Sequence, residues 1–143
     1  MDTEIDLQQL VAGAGDGIIA CDAAGAITLW NAAATRIFGF TADDAMGQSL
    51  DLIIPERQRG RHWEGYHHTM ATAMTKYGAD VLRVPALHKE GKTLSIAFTV
   101  SMLQDASGKV TGIVAIVRDE TARFAEMREL RKRLMELEAK VAS

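Results

Sequence analysis

Residues 93–103, TLSIAFTVSML, constrain the fold more tightly than any other stretch of the chain. Apolar and polar side chains alternate throughout. Leu94, Ile96, Phe98, Val100 and Met102 share one face, and Thr93, Ser95, Ala97, Thr99 and Ser101 share the other. A period of two is the mark of a β-strand with one face on a core. Its backbone N–H and C=O groups need partner strands. GIIACD and AITLWN, separated by AAG, read as a hairpin with Gly25 in the turn. ADVLRVPAL is apolar at Val81, Val84 and Leu87 with Leu82 beside them, and Pro85 places it at a sheet edge or a local bulge. HKEGK and QDASGK are turns, and VTGIVAIVRD is the last strand.

Helical signals crowd between the second and third strands. Asn31 caps AAATRIFGF, which buries Ile37 and Phe38 and is closed by Gly39. Thr41 caps ADDAMG with Asp44 in the capping-box position, and Gly47 ends that piece. A long helix then enters at Pro55, where a missing N–H costs nothing, and should end near Gly78. Ahead of the hairpin, TEIDLQQLVAGA is a short amphipathic helix with Thr3 in the cap position and Asp6 three residues on. Strands grouped around a block of helices imply an α+β fold: a five-stranded antiparallel sheet with short helices and one long helix over one face. We divide the chain into an N-terminal helix (1–15), a sheet domain (16–118) and a C-terminal helix (119–143).

In that last segment Met127, Leu130, Leu134, Leu137 and Val141 recur at intervals of three and four, the a and d positions of a heptad. Glu126 and Arg133 then occupy g, and Arg131 and Glu138 occupy e. A parallel homodimer would set Glu126 against Arg131 and Arg133 against Glu138. The other reading is an amphipathic helix folded back on its own domain.

Composition excludes several function classes. A net charge of -3 gives no basic field for nucleic acid. A single cysteine, Cys21, rules out an internal disulfide and a cysteine-based zinc cluster, and it fits a reducing compartment. Acidic side chains stand where a signal peptide needs basic ones, and no apolar run reaches the length of a membrane span, so a soluble, cytoplasmic chain without membrane contact is expected. No nucleophile–base pair, phosphate-cradling glycine loop or HExxH motif is present, so no enzyme activity is expected.

The long helix carries the residues with chemistry. His62, Trp63, Tyr66, His67 and His68 follow Arg57, Arg59 and Arg61. On a helix His62, Tyr66, Thr69 and Ala73 share one face, and Arg59, Trp63 and His67 a neighbouring one. An imidazole so placed could hold a metallocofactor whose acidic groups meet the arginines. Equally, the segment could be a surface helix with a positive rim. Trp63 suits a helix-to-sheet contact or a dimer surface, Tyr66 either a pocket or core packing, and the methionines suit gap filling.

Four stretches together resemble a PAS domain of the S-box type from Leu7 to Thr121. They are DGIIACDAAGAITLWNAAATRIFGFTADDAMGQSL, IIPERQRGRH, KEGKTLSIAFTVSML and GIVAIVRDET. RDET is similar to the signature that couples a PAS sheet to the coiled coil behind it. The fold implies a sensor or interaction module and leaves the ligand open. Light-sensing flavin members need an Asn-Cys-Arg motif on the helix before the long one, and the only cysteine here is on the first strand. The resemblance is to the haem-binding PAS domains of FixL-type oxygen sensors, whose proximal histidine follows Met/Ile-Pro as His62 follows Ile54-Pro55. The interval from His62 to Gly91 is also that of the family.

By this resemblance His62 is the iron ligand of a haem b. Phe98 and Val100 crowd the distal face with Ile96 beside them, Tyr77 takes a further distal position, and Tyr66 lines the pocket. His68 replaces an arginine that approaches a propionate. Leu82 replaces the distal arginine that hydrogen-bonds oxygen, and Arg83, one residue on, faces the other way. The implied function is haem-based gas or redox sensing, with CO, NO or the iron redox state favoured over O2. Output would pass through Asp119 to Thr121 into the terminal helix of a homodimer held by its N- and C-terminal helices. The alternatives are a cofactor-free dimerisation or interaction module, its pocket filled by side chains, and a pocket for a small organic ligand such as a fatty acid.

Overall fold

The computed structural model describes residues 4–74 and 80–142. The sheet has β1 (Gly17–Asp22), β2 (Ile27–Trp30), β3 (Leu82–Leu87), β4 (Thr93–Gln104) and β5 (Val110–Asp119), in the order β2-β1-β5-β4-β3. Every pairing is antiparallel. Helices α1 (Leu7–Gly13), α2 (Ala32–Phe38), α3 (Ala42–Ala45), a 3-10 turn (Leu50–Ile53), α4 (Glu56–Thr72) and α5 (Thr121–Ala142) complete the chain. The α+β architecture is the one expected.

Local signals set the helix ends. The Asn31 side chain accepts from Ala34 N, and Gly39 closes α2 at φ 86°, a left-handed conformation open to glycine. Thr41 and Asp44 form the reciprocal capping box of α3. Two expected boundaries shift. Asp6, rather than Thr3, caps α1, its carboxylate accepting from Gln8 N and Gln9 N; Thr3 lies outside the described residues. α4 stops at Thr72 instead of running to Gly78. There the Thr72 hydroxyl donates to His68 O (2.8 Å) and accepts from Met74 N (3.3 Å), and Ala73 turns left-handed.

β3 corrects the apolar pattern of its segment. Leu82, Val84 and Ala86 pair with Phe98, Ile96 and Leu94, so these six share one face. Val81 lies before the strand, and Leu87 falls on the opposite face from Val84, because a spacing of three cannot hold one face of a strand. Pro85 sits in an edge strand with unbroken register; the irregularities fall instead at Ala20/Cys21 and Leu103/Gln104.

The core lies between the helices and the inner sheet face, built from Ile19, Cys21, Ile27, Phe38, Leu94, Ile96 and Val117 among others. Asn31 is the buried polar exception. Its Oδ1 accepts from Ile18 N (2.9 Å) and Ala34 N (3.0 Å), and its Nδ2 donates to Val11 O (2.9 Å) and Asp16 O (3.1 Å). One satisfied amide thus ties α1, β1 and α2 together.

α5 does not fold back on the domain. None of its residues is buried, and Phe124, Met127, Leu130, Leu134, Leu137 and Val141 are exposed. Its root is nevertheless held firmly. Glu120 N donates to Ser95 O (2.8 Å), Ser95 N to Thr121 Oγ1 (3.0 Å), and Thr121 Oγ1 and N to Asp119 Oδ1 (2.5 and 2.9 Å). Among the described residues no helix is long and apolar enough to cross a membrane.

Candidate ligand-binding site

α4 lies on the sheet by one narrow stripe. Tyr66 is its sole buried residue; Arg59, His62, Trp63, Thr69 and Met70 are half-buried on either side of it. The Tyr66 hydroxyl donates to Asp22 O at the end of β1. Burial, then the nearby Cys21 and Asp22, push that phenol well above its ordinary pKa, so it stays a donor. Trp63 Nε1 donates to Asp51 Oδ1 (2.7 Å). Its ring covers the β1–β2 turn so closely that a Cβ on Gly25 would stand 2.3 Å from it. Of the two roles expected for Trp63, the helix-to-sheet contact is the one seen.

His62 stacks edge-on against Trp63, with ring centroids 4.6 Å apart, and lies 5.9 Å from Tyr66. Its Nδ1 is buried and makes no hydrogen bond. Burial lowers its pKa against a weaker upward pull from Asp51, so the ring is held neutral with a lone pair available. His67 and His68 are exposed on the outer side of the helix.

The inner sheet face packs beneath Tyr66. Tyr66 and Ile96 belong to the core cluster, and Phe98 packs against it. Leu82 faces inward beside Phe98, its pairing partner, and Val100 follows on the same face. Arg83 points to the other side of the sheet, 3.5 Å from Glu120. Tyr66, Ile96 and Phe98 thus meet in or against the core cluster, Leu82 and Val100 share the inner sheet face with them, His62 meets Trp63 and Tyr66, and His68 is exposed on the outer side of α4. Tyr77 lies outside the described residues. Cys21 is buried in the core with its thiol pushed up to about 12 by burial and then by Asp22, which makes it unreactive.

The residues present fit a haem. A neutral, half-buried imidazole with an unpartnered nitrogen lies beside the aromatic rings of Trp63 and Tyr66, and exposed Arg57 and Arg61 stand near the start of the same helix. Among the described residues no three His, Cys, Asp or Glu side chains converge on a point.

Two further residues escaped sequence reasoning. Asp22 accepts the Tyr66 hydroxyl through its backbone and, through Oδ1, the N–H groups of Ala24 and Ala26. The Asp-x-x-Gly turn signalled the second role only. Asp51 receives Trp63 from twelve residues away, a pairing with no local signature.

The PAS fold family matches residues 5–119, and the chain belongs to that family. It is similar to the sensor protein FixL of Bradyrhizobium diazoefficiens, 28% identical over 139 residues, which cover 96% of this chain and 26% of that protein. It is also similar to the oxygen sensor protein DosP of Escherichia coli, 24% identical over 106 residues, covering 74% of this chain and 13% of that one. The chain thus spans about a quarter or less of these relatives. Among solved structures, a PAS domain from Colwellia psychrerythraea matches with a TM-score of 0.71 at 19% identity, covering 81% of this chain and 95% of that one.

Proposed function

We propose that this chain is a non-catalytic PAS sensory module of the cytoplasm that takes haem b between α4 and the sheet and passes its state to α5. The observation that carries this is His62: half-buried, held neutral, its Nδ1 buried without a partner, on the same helix face as the core residue Tyr66. In this reading His62 would hold the haem iron, Leu82, Ile96, Phe98 and Val100 would offer it apolar contact and Tyr66 would pack beside it, while the family pattern assigns His68 to the propionate side and Tyr77, which lies outside the described residues, to the opposite side. When bound, the haem supplies an iron centre that takes a diatomic gas or changes oxidation state. Similarity to an oxygen sensor supports that class of cue. The inner-face residues of β3 and β4 carry no charge, and Arg83 is turned away to Glu120. A bound O2 therefore lacks a charged donor from these strands, which favours CO, NO or redox state.

Hemin added to purified protein should give a sharp Soret band that disappears in His62→Ala. Ferrous Leu82→Arg should gain oxygen affinity; an unchanged affinity would sink the account of the distal side. A cofactor-free interaction module is the second reading, favoured by the Tyr66–Asp22 hydrogen bond and the Trp63 packing that close α4 onto the sheet. It predicts no specific hemin uptake.

Output is a parallel homodimer through α5, assisted by α1. Support comes from the exposed a and d residues and from the complementary charges at Glu126, Arg131, Arg133 and Glu138. Sedimentation should show a dimer that dissociates in Leu134→Lys. A monomeric unsubstituted chain at high concentration would exclude it.

A further inference from the structure

We propose that the Arg83–Glu120 ion pair is a strut that couples the ligand-facing side of β3 to the root of α5. The proposal rests on the reading that the inner sheet face is the input side. Arg83 directly follows Leu82, so one residue of β3 touches the inner wall while the next reaches the outer face. There Arg83 pairs with Ala97, and Ala97 with Arg118, making a row of two arginines across a buried alanine. Glu120 follows in the adjacent row, bonded to Ser95 through its N–H. Its carboxylate lies 3.5 Å from Arg83 Nε and 4.0 Å from Arg123 Nη1.

Glu120 is the last residue before α5 begins, and its carbonyl accepts the Phe124 N–H (2.8 Å) in the first helical turn. It is also the most enclosed of these charges, with 16% side-chain exposure against 65% for Arg83. β3 is an edge strand whose one strand partner is β4. Its outer edge has no strand partner, so β3 can give when a group enters beside Leu82. A shift of β3 moves Arg83, Arg83 moves Glu120, and Glu120 turns the first residues of the helix. Arg123 binds the same carboxylate from within α5, so the helix has a second hold on the strut. β4 supplies a parallel route through Ser95 and Thr121, which is why the strut biases the helix root without carrying it alone. Arg83 is a positioning residue in this device.

Amide exchange at Glu120 and Phe124 tests it in the full chain without haem. Leu82→Ala should speed exchange at both amides up to about fivefold, the size set by a partly exposed ion pair, while β1 amides report global opening. In an Arg83→Gln background the same change should add little at Glu120 and Phe124. The double exchange Arg83→Glu with Glu120→Arg should restore the response. Equal acceleration in both backgrounds, or none in the Arg83 protein, overturns the strut; if Leu82→Ala fails to fold, Leu82→Met takes its place. Haem is decided separately by the Soret band. A protein that refuses hemin yet shows the non-additive response keeps the strut and loses only its ligand.

Discussion

α4 and α5 are both long helices of mostly polar residues, 17 and 22 residues respectively, and they treat their apolar side chains in opposite ways. α4 seats Trp63, Tyr66 and Met70 on the sheet at intervals of three and four, with His62 one turn before Tyr66. α5 carries a longer apolar stripe and buries none of it. The difference lies in what each stripe can meet. α4 is joined at its start to the 3-10 turn and lies across the sheet, where aromatic residues with polar tips find both apolar contact and acceptors at Asp22 and Asp51. α5 leaves from the end of an inner strand and projects a leucine seam suited to another helix. One helix closes the domain and the other advertises it.

The contrast is sharpest at Tyr66. Tyr66→Ala should destabilise the domain by about 3–5 kcal/mol in urea unfolding, through a cavity and an orphaned Asp22 carbonyl. A loss under ~1 kcal/mol would mean that α4 is not held by this side chain. Gly25→Ala should cost at least about 1–2 kcal/mol, because the residue is at φ 86° and its Cβ would meet the Trp63 ring. Tyr66→Phe should cost about 1 kcal/mol, isolating the hydrogen bond from the packing.

His62 adds a pH test of the same interface. Its folded pKa lies below the ordinary value of about 6.5, so the unfolded chain binds the extra proton. The resulting stability is complete above that value and is lost as pH falls through it. Urea midpoints at about pH 7.5 and 5.5 should therefore differ more in the unsubstituted protein than in His62→Gln. Leu134→Ala should change domain unfolding least, within about 0.5 kcal/mol under conditions where the chain is monomeric. A large loss there would mean that α5 leans on the domain after all.

Most of the strand assignments and caps were legible because they are local: alternation over β4, the Asn31 and Thr41 caps, the glycine turns. β3 was misphased because its apolar residues spread over three positions while only its partner β4 could say which faced inward. The end of α4 was misplaced because Thr72 closes the helix through its own hydroxyl, six residues before Gly78, which lies outside the described residues. The family pattern singled out His62 and the inward residues of β4 as a candidate site, whereas nothing local pointed to Asp22 and Asp51, since a backbone carbonyl and a distant carboxylate leave no periodicity to read.

By itself the sequence determined that a half-buried antiparallel sheet would be roofed by helices, that His62 and Tyr66 would share one face of the longest roof helix, and that a heptad would follow. These are properties of spacing, set by backbone geometry within a few residues. Only the tertiary structure decided that Tyr66 and Trp63 anchor the roof, that His62 Nδ1 is left without a partner, and that Arg83 meets Glu120 across the sheet. Such contacts join residues far apart in the chain, and their existence depends on strand order and register, which no local period encodes.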